Sequence, residues 1–145
     1  MLFAGSIREN VFFGESAAPE TDEELKNAIG LSQAEEFVDK LPDGAEHMIS
    51  QMGRNVSGGQ KQRLSIARAL SRKPEILVFD DSFSALDYKT DAKLREGLNE
   101  KLKDTTKIIV AQRISTIRHA DKIIVLDRGE AVGMGTHEEL SLIHI

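Results

Sequence analysis

NVSGGQKQRLSIARALSRKPEILVFDDSFSALD, residues 55–87, is the stretch that decides the fold. A glycine pair opens a predicted helix of about three turns, and the helix ends before Pro74. A short apolar run follows and ends in two adjacent carboxylates, Asp80 and Asp81. This order of glycine turn, helix, apolar strand and acidic pair is suited to binding phosphate groups.

The glycine pair lies where a helix exposes unpaired backbone donors. Ser57 is predicted to be the N-cap. Because Gly58 and Gly59 have no β-carbons, their backbone N–H groups can approach a ligand closely, and a helix N-terminus carries a partial positive charge. Two cations, Arg72 and Lys73, close the predicted helix at its negative end. The pattern favours an anion at the helix start, although an ordinary capped helix after a glycine turn has the same sequence.

The run ILVF at residues 76–79 is continuously apolar, which predicts a strand buried on both faces of a parallel sheet. Asp80 then lies at the carboxyl end of that strand, where open α/β sheets bind ligands and an aspartate can hold a hydrated Mg²⁺. Asp81 follows at the position of a base or a water-orienting group. Two solvated carboxylates that cap a turn are the alternative, and these residues alone leave it open.

Together these features resemble the ATP-binding domain of an ABC transporter. VSGGQ at residues 56–60 is similar to the family signature, usually LSGGQ, with Val56 in place of leucine. Residues 76–80 are similar to the Walker B strand, and SALD at residues 84–87 is similar to the D-loop. The resemblance implies an α/β chain with part of the P-loop NTPase (ABC ATPase) fold: a parallel sheet with flanking helices and a helical signature subdomain. It also implies ATPase activity, with ATP and Mg²⁺ as cofactors.

The resemblance also implies a division of the chain. Residues 1–73 are expected to form the helical subdomain that ends in the signature helix, and residues 74–140 the C-terminal part of the ATPase core. Residues 141–145 are interpreted as a sequencing-adapter scar. The Walker A motif, GxxxxGK[ST], has no match here and precedes this region in the family. The chain is therefore expected to be truncated at both ends and to bind ATP weakly or not at all by itself.

Outside residues 55–87, patterns of caps and apolar residues predict further elements. A capping-box pattern at Thr21 and Glu24 opens a helix through Ile29. The other predicted elements are an amphipathic helix over 32–41, a helix over 88–102, strands over 106–111 and 122–126 with 114–120 bridging them, a hairpin-like turn at 127–130, and a last helix opened by the capping box of Thr136 and Glu139. Strands that alternate with helices favour a parallel sheet.

In the family, two nucleotide-binding domains enclose two ATP molecules, and each site joins the Walker motifs of one partner to the signature of the other. The roles that the resemblance implies are therefore divided between two sites. They are the γ-phosphate contacts of ATP held by the partner, from Ser57, Gly58, Gly59 and Gln60; the Mg²⁺ ligand of the chain's own site, Asp80; and the D-loop residues that line the dimer seam, Ser84 and Asp87.

Two catalytic positions depart from the family pattern. Asp81 stands where the family usually carries glutamate, and its side chain is shorter by one methylene, roughly 1.5 Å. Gln112 stands where the switch histidine is usual, since the chain reads AQRIST at residues 111–116 instead of AHRLST. Glutamine cannot become a cation, so it lacks a charge-assisted contact to phosphate. This combination resembles the degenerate half of a heterodimeric exporter, although slow hydrolysis with Asp81 and Gln112 stays open.

The implied partners are a second nucleotide-binding domain with consensus residues and an ABC transmembrane domain. A net charge of −5 does not suggest a nucleic-acid surface, and no apolar run is long enough to span a bilayer. The chain is expected to be soluble by itself and to lie at the cytoplasmic face of the cell membrane through its transmembrane domain. Two alternatives are a non-transport ABC ATPase of DNA repair or the ribosome, and a nucleotide-sensing half without hydrolysis. LFAGSIREN at residues 2–10 and GTHEEL at residues 135–140 favour the exporter.

Overall fold

The computed structural model describes residues 1–14 and 19–142. Residues 141–145 are the segment interpreted as an adapter scar, and residues 143–145 of it lie outside the described part. The chain divides into two compact units, Met1–Ile108 and Ile109–Ile145. The sequence instead predicts boundaries after residues 73 and 140, between a helical subdomain and the ATPase core. That division stays a prediction.

Helices dominate the first unit, and its strands form two small pairs. Its elements are β1 (Gly5–Ser6), α1 (Ile7–Val11), α2 (Asp22–Leu31), α3 (Glu35–Val38), β2 (Met48–Ile49), α4 (Gly58–Ser71), β3 (Ile76–Asp80), α5 (Tyr88–Lys101) and β4 (Thr106–Val110), whose last two residues belong to the second unit. The elements of the second unit are α6 (Ile114–Ile117), β5 (Ile123–Asp127), β6 (Glu130–Gly135) and α7 (His137–Ser141).

Helix α4 forms the centre of the first unit, because α1 and α2 both pack against it. The face that the sequence predicts to be apolar is buried, with Leu64, Ala67 and Leu70 all inaccessible or nearly so. The apolar periodicity of α4 thus places its buried stripe correctly. The same packing fixes the direction in which the first turn of α4 points.

A partly buried hydrogen-bond network anchors residues 1–13 to α4. The guanidinium of Arg68 donates from Nε to the Asn10 carbonyl oxygen at 2.6 Å and from Nη2 to Asn10 Oδ1 at 3.0 Å. It also stacks on Phe3 and Phe13, with Cζ at 5.1 and 5.6 Å from the two ring centroids. Burial lowers the pKa of Arg68, and the nearby charge of Arg72 adds to this effect. The planar fork of an arginine suits such a site, because it satisfies carbonyl and amide oxygens while it stacks on rings.

The amphipathic helix expected over residues 32–41 is wrong in its extent, because α3 covers only Glu35–Val38. Ser32 is buried and donates from Oγ to the Ile29 carbonyl oxygen at 3.0 Å, which ends α2. Gln33 then adopts the left-handed conformation with φ of 61°. A short polar side chain that bonds locally to the backbone competes with helix continuation, and here it ends the helix.

The expectation that β3 is buried on both faces is also wrong for this chain. Leu77 and Phe79 are buried, whereas Ile76 and Val78 are 59% and 62% exposed. β3 pairs with β4, and within the described residues only one face of β3 is covered. An apolar run shows which strand can be buried, but cover on each face has to come from other elements.

The α/β class is confirmed, but β1 pairs with β2 and β5 with β6 in antiparallel fashion. The predicted turn at residues 127–130 is confirmed as the two-residue connection between β5 and β6, with φ of 51° at Arg128 and 85° at Gly129. Positive φ at both positions is typical of a hairpin turn, which can only join antiparallel strands. The prediction of a parallel sheet is therefore wrong for these two strand pairs.

The helix over residues 88–102, the two C-terminal strands and the capping box at Thr136 and Glu139 are confirmed to within a residue or two. Within residues 1–14 and 19–142, no helix is both long and apolar enough to cross a bilayer.

Candidate functional site

The first turn of α4 is closed by a reciprocal capping box. Ser57 is extended, with φ of −68° and ψ of 165°, and its Oγ accepts from the Gln60 backbone N–H at 3.2 Å. The Gln60 Oε1 accepts in return from the Ser57 backbone N–H at 2.8 Å. The predicted N-cap is confirmed. Two of the backbone donors that every helix start leaves unpaired are satisfied in this way.

The remaining donors of this turn belong to the glycine pair. The first regular helical bond runs from the Lys61 N–H to the Ser57 carbonyl oxygen at 2.9 Å. Among the described residues, nothing accepts a hydrogen bond from the backbone N–H of Gly58 or Gly59. The first turn also contains no acidic side chain that would neutralise the helix dipole. Two adjacent donors with a partial positive charge are thus available to an anion.

The two glycines differ in their surroundings. A β-carbon on Gly58 would meet nothing nearer than the Ala85 β-carbon at 3.8 Å, which is ordinary contact. A β-carbon on Gly59 would lie 3.0 Å from the Ala85 carbonyl oxygen, a backbone atom that cannot easily move away. Packing inside this chain therefore disfavours any side chain at residue 59, whereas a side chain at residue 58 would have room within this chain. The sequence assigned both glycines to ligand approach and gave no sign of this difference.

Gln62 ties this helix start to the loop that follows β3. Its Oε1 accepts from the Ala85 backbone N–H at 3.0 Å, and its Nε2 donates to Ser84 Oγ at 3.2 Å. Nε2 also makes a longer contact, 3.4 Å, to the Asp81 carbonyl oxygen. Sequence reasoning missed Gln62. The signal that points to it is spacing, because residues 58, 59 and 62 share one face of an α-helix.

The two carboxylates lie at the end of β3 as expected. Asp80 is the last residue of the strand and is exposed. Asp81 is exposed too, and its backbone is left-handed, with φ of 48°. Aspartate tolerates this conformation better than most residues, but it still needs support from its neighbours. The support comes from Ser84, whose Oγ and backbone N–H donate to the Asp81 carbonyl oxygen at 3.0 and 3.4 Å.

The described residues contain no group of three or more acidic, histidine or cysteine side chains that could hold a metal ion. Asp80 could therefore supply one protein ligand rather than a complete metal cage. Mg²⁺ at phosphate sites usually has one or two carboxylate ligands, with phosphate oxygens and water completing the octahedron. The donor set around Asp80 fits that mode.

Asp87 caps α5 in addition to any contact with a partner. Its Oδ1 accepts from the backbone N–H groups of Lys89 at 3.1 Å and Thr90 at 3.0 Å, and its Oδ2 accepts from Thr90 Oγ1 at 2.6 Å. The hydroxyl of Thr90, followed by these backbone donors, lowers the pKa of Asp87. The carboxylate is thereby held ionised and fixed in orientation.

The structure brings Ser57, Gly58, Gly59 and Gln60 together on one turn and links that turn to Asp81 and Ser84 through Gln62. Gln112 belongs to the second unit. There it is exposed and lies between β4 and Arg113, the N-cap of α6.

By its fold and site, the chain is an α/β protein with an anion-competent helix start and a strand that ends in two carboxylates. A family model described as ABC transporter matches residues 3–84, more than half of the chain. The chain belongs to the ABC transporter family.

Relatives of known name and a solved structure agree with this assignment. An ABC transporter ATP-binding protein of Mycoplasma genitalium is 45% identical over 97% of this chain and 24% of its own length. Multidrug resistance protein 1 of Entamoeba histolytica is 46% identical over 97% of this chain and 11% of its own length. A multidrug export ATP-binding/permease protein of Staphylococcus aureus is 44% identical over 97% of this chain and 24% of its own length.

The structure of a bacterial Atm1-family ABC exporter with ATP bound superposes with a TM-score of 0.92 at 33% identity. The match covers 99% of this chain and 25% of the exporter chain. The fold is therefore that of the corresponding part of an ABC exporter. The chain spans about a quarter or less of the length of the relatives that it matches.

The cap of α5 predicts a pH dependence. Because the pKa of folded Asp87 lies below its ordinary value of 3.8, its stabilising contribution is present above that value and is lost as the pH falls through the lower folded pKa. A carboxyl NMR titration should therefore show Asp87 titrating below the ordinary range. Thr90→Val should return it toward that range, because the largest cause is removed. As a control, Thr105→Val should not move the titration. An Asp87 pKa that ignores Thr90→Val would contradict this assignment.

Proposed function

We propose that this chain is part of the ATP-binding and ATP-hydrolysing component of an ABC exporter, which couples ATP binding and hydrolysis at a dimer of nucleotide-binding domains to transport across a membrane. The observation that carries the proposal is the pair of unpartnered N–H groups at Gly58 and Gly59 on the capped start of α4. Membership of the ABC transporter family implies ATP binding. The export and resistance names of the Staphylococcus and Entamoeba relatives support an exporter over a non-transport ATPase.

In this proposal the turn from Ser57 to Gln60 binds the γ-phosphate of ATP held mainly by a second nucleotide-binding domain. The two glycine N–H groups donate to phosphate oxygens. The Ser57 hydroxyl accepts from the Gln60 N–H, so its own hydrogen is left to donate outward. The Gln60 Oε1 accepts from the Ser57 N–H, so the Nε2 of Gln60 is likewise left to donate outward. A turn that carries only donors suits a highly charged anion.

On the chain's own site, Asp80 is proposed to hold Mg²⁺ with a single carboxylate. The ion, when bound, neutralises charge on the phosphate chain. Asp80 is exposed at the end of β3, which leaves its oxygens accessible for this role. Ser84 and Asp87 are proposed to line the seam between the two domains. Their bonds to Asp81, Gln62 and Thr90 hold the seam residues in place before a partner arrives.

The chain's own catalytic apparatus is proposed to be blunted. A general base must lie within about 2.6–3.2 Å of the water that it orients, so a side chain roughly 1.5 Å too short loses this contact. Asp81 cannot move forward to compensate, because hydrogen bonds fix its backbone in the left-handed conformation. Gln112 adds no positive charge at the transferring phosphate. The proposed partners are a nucleotide-binding domain with consensus residues and an ABC transmembrane domain, which would place the chain at the cytoplasmic face of the membrane.

The phosphate contact is tested by Gly58→Asp in the complete transporter. The new carboxylate should repel the γ-phosphate without disturbing the fold, because the site of the β-carbon is open in this chain. We expect ATP turnover and transport to fall about a hundredfold, because the added charge opposes the phosphate at least as strongly as the loss of one donor to a developing anion would weaken its binding. Asn99→Asp, which adds the same charge on an exposed residue of α5, should leave both unchanged. Turnover at the parent rate in Gly58→Asp would overturn the proposal.

The blunted site is tested by Asp81→Glu combined with Gln112→His, in a complex whose partner site has been inactivated. Restored reach and charge should raise ATP turnover on the order of a hundredfold, the size of a general acid–base contribution. Asp81→Asn combined with Gln112→Asn should give no gain. If the parent chain already turns over as fast as the Asp81→Glu, Gln112→His variant, its own site is not degenerate. A nucleotide-sensing half is the second candidate, favoured by the same two residues, and it requires no turnover at all from the parent chain in this background.

A further inference from the structure

We propose that Gln62 is a positioning residue that locks the loop Asp81–Asp87 to the first turns of α4, so that the signature turn and the chain's own catalytic loop move as one body. The proposal rests on the proposed function, which assigns that turn to ATP held by the partner and that loop to the chain's own site. In that proposed function, Gln62 itself contacts neither the ATP of the partner nor the ATP of the chain's own site.

The amide of Gln62 contacts the loop at its first residue and near its middle. Its oxygen accepts from the Ala85 N–H at 3.0 Å, and its nitrogen donates to Ser84 Oγ at 3.2 Å and approaches the Asp81 carbonyl oxygen at 3.4 Å. A glutamine offers a donor and an acceptor on one planar group. Among the described residues, no other side chain outside the loop makes hydrogen bonds to these three positions.

These contacts act on the conformation that decides where the Asp81 carboxylate points. With φ of 48°, the Asp81 backbone is in a sparsely populated region. Its carbonyl oxygen is held by Ser84, and the hydroxyl of Ser84 is in turn held by Gln62. If Gln62 is removed, the chain of bonds that supports the left-handed turn loses its attachment to α4.

Close packing at Gly59, three residues before Gln62 on the same face of α4, completes the contact with the loop. Gly59 brings the backbone of α4 against the Ala85 carbonyl oxygen, where even a methyl group would lie only 3.0 Å away. The N–H of Ala85 is bonded to Gln62 while its carbonyl oxygen faces Gly59. Both faces of one loop peptide segment are thus set against α4, which fixes its orientation as well as its distance.

The loop does not need Gln62 in order to stay folded. Phe83 and Leu86 are buried to 5% and 6% exposure and anchor the loop in the core of the first unit. The rings of Phe79 and Phe83 also stack, with centroids 5.1 Å apart. Loss of the Gln62 amide should therefore reorient the loop rather than unfold it, and this separates a positioning role from a structural one.

The test is Gln62→Met in the complete transporter, since methionine matches the length of glutamine without its hydrogen bonds. We expect kcat for ATP to fall about tenfold while KM stays within about twofold, because the signature turn that completes the partner's site loses its fixed position against the loop, and small misplacements of such groups are costly. The melting temperature should stay within about 4 °C of the parent. Gln33→Met is the matched control: it removes another glutamine-to-carbonyl bond, from Nε2 to the Gly30 oxygen at 3.2 Å, and should leave kcat unchanged.

A double-mutant cycle with Ser84→Ala tests whether Gln62 affects kcat through its hydrogen bond to Ser84 or independently of it. If Gln62 acts through Ser84, the double variant should be no slower than the slower single variant. A kcat within twofold of the parent in Gln62→Met would overturn the proposal. Fully additive losses, or a loss that follows the melting temperature, would also overturn it by showing a structural role only.

Gly58→Asp, measured in parallel, distinguishes the two levels of the account. Parent turnover in Gly58→Asp would remove the proposed function itself, whatever Gln62→Met does. Loss of turnover in Gly58→Asp together with an unaffected Gln62→Met would remove only the positioning role.

Discussion

The unpaired backbone donors at the start of α4 are the constraint on which the rest of the site depends. A helix start must place its free N–H groups somewhere, and burial without a partner would cost on the order of 1–3 kcal/mol for each group. Here the capping box of Ser57 and Gln60 uses two of these groups, and the glycine pair leaves two more facing outward. The same turn packs closely against the loop after β3, so the segment proposed to bind a ligand also takes part in the packing of its own fold.

The position of this turn also explains how the loop after β3, Asp81 and the start of α5 are held. The packing of α1 and α2, with Arg68 bound to Asn10, fixes α4, and α4 fixes the loop through Gly59 and Gln62. The loop in turn holds Asp81 in its left-handed conformation and starts α5 with the Asp87 cap. An error of position at the helix start would therefore be passed to Asp81 and to the loop that leads to Asp87.

Local features of the sequence predicted much of this. The caps at Ser57 and Thr136 depend on side chains that bond within three residues, and the stripe of α4 depends only on helical spacing. The prediction of a helix over residues 32–41 was wrong because Ser32 bonds locally to the backbone and Gln33 is left-handed, and apolar periodicity shows neither feature. The prediction that β3 is buried on both faces was wrong because other segments of the chain must cover each face. Gln62 was missed for the same reason, since its partners lie 19 to 23 residues further along the chain.

The most direct measurement is photo-crosslinking with an ATP analogue that carries its reactive group on the γ-phosphate, followed by peptide mapping of this chain. If the helix start binds ATP held by a second domain, the crosslink should fall within residues 55–61 and should form only when that domain is present. A crosslink in residues 55–61 that forms without the second domain, or labelling of this chain only outside them when both domains and ATP are present, would contradict the account.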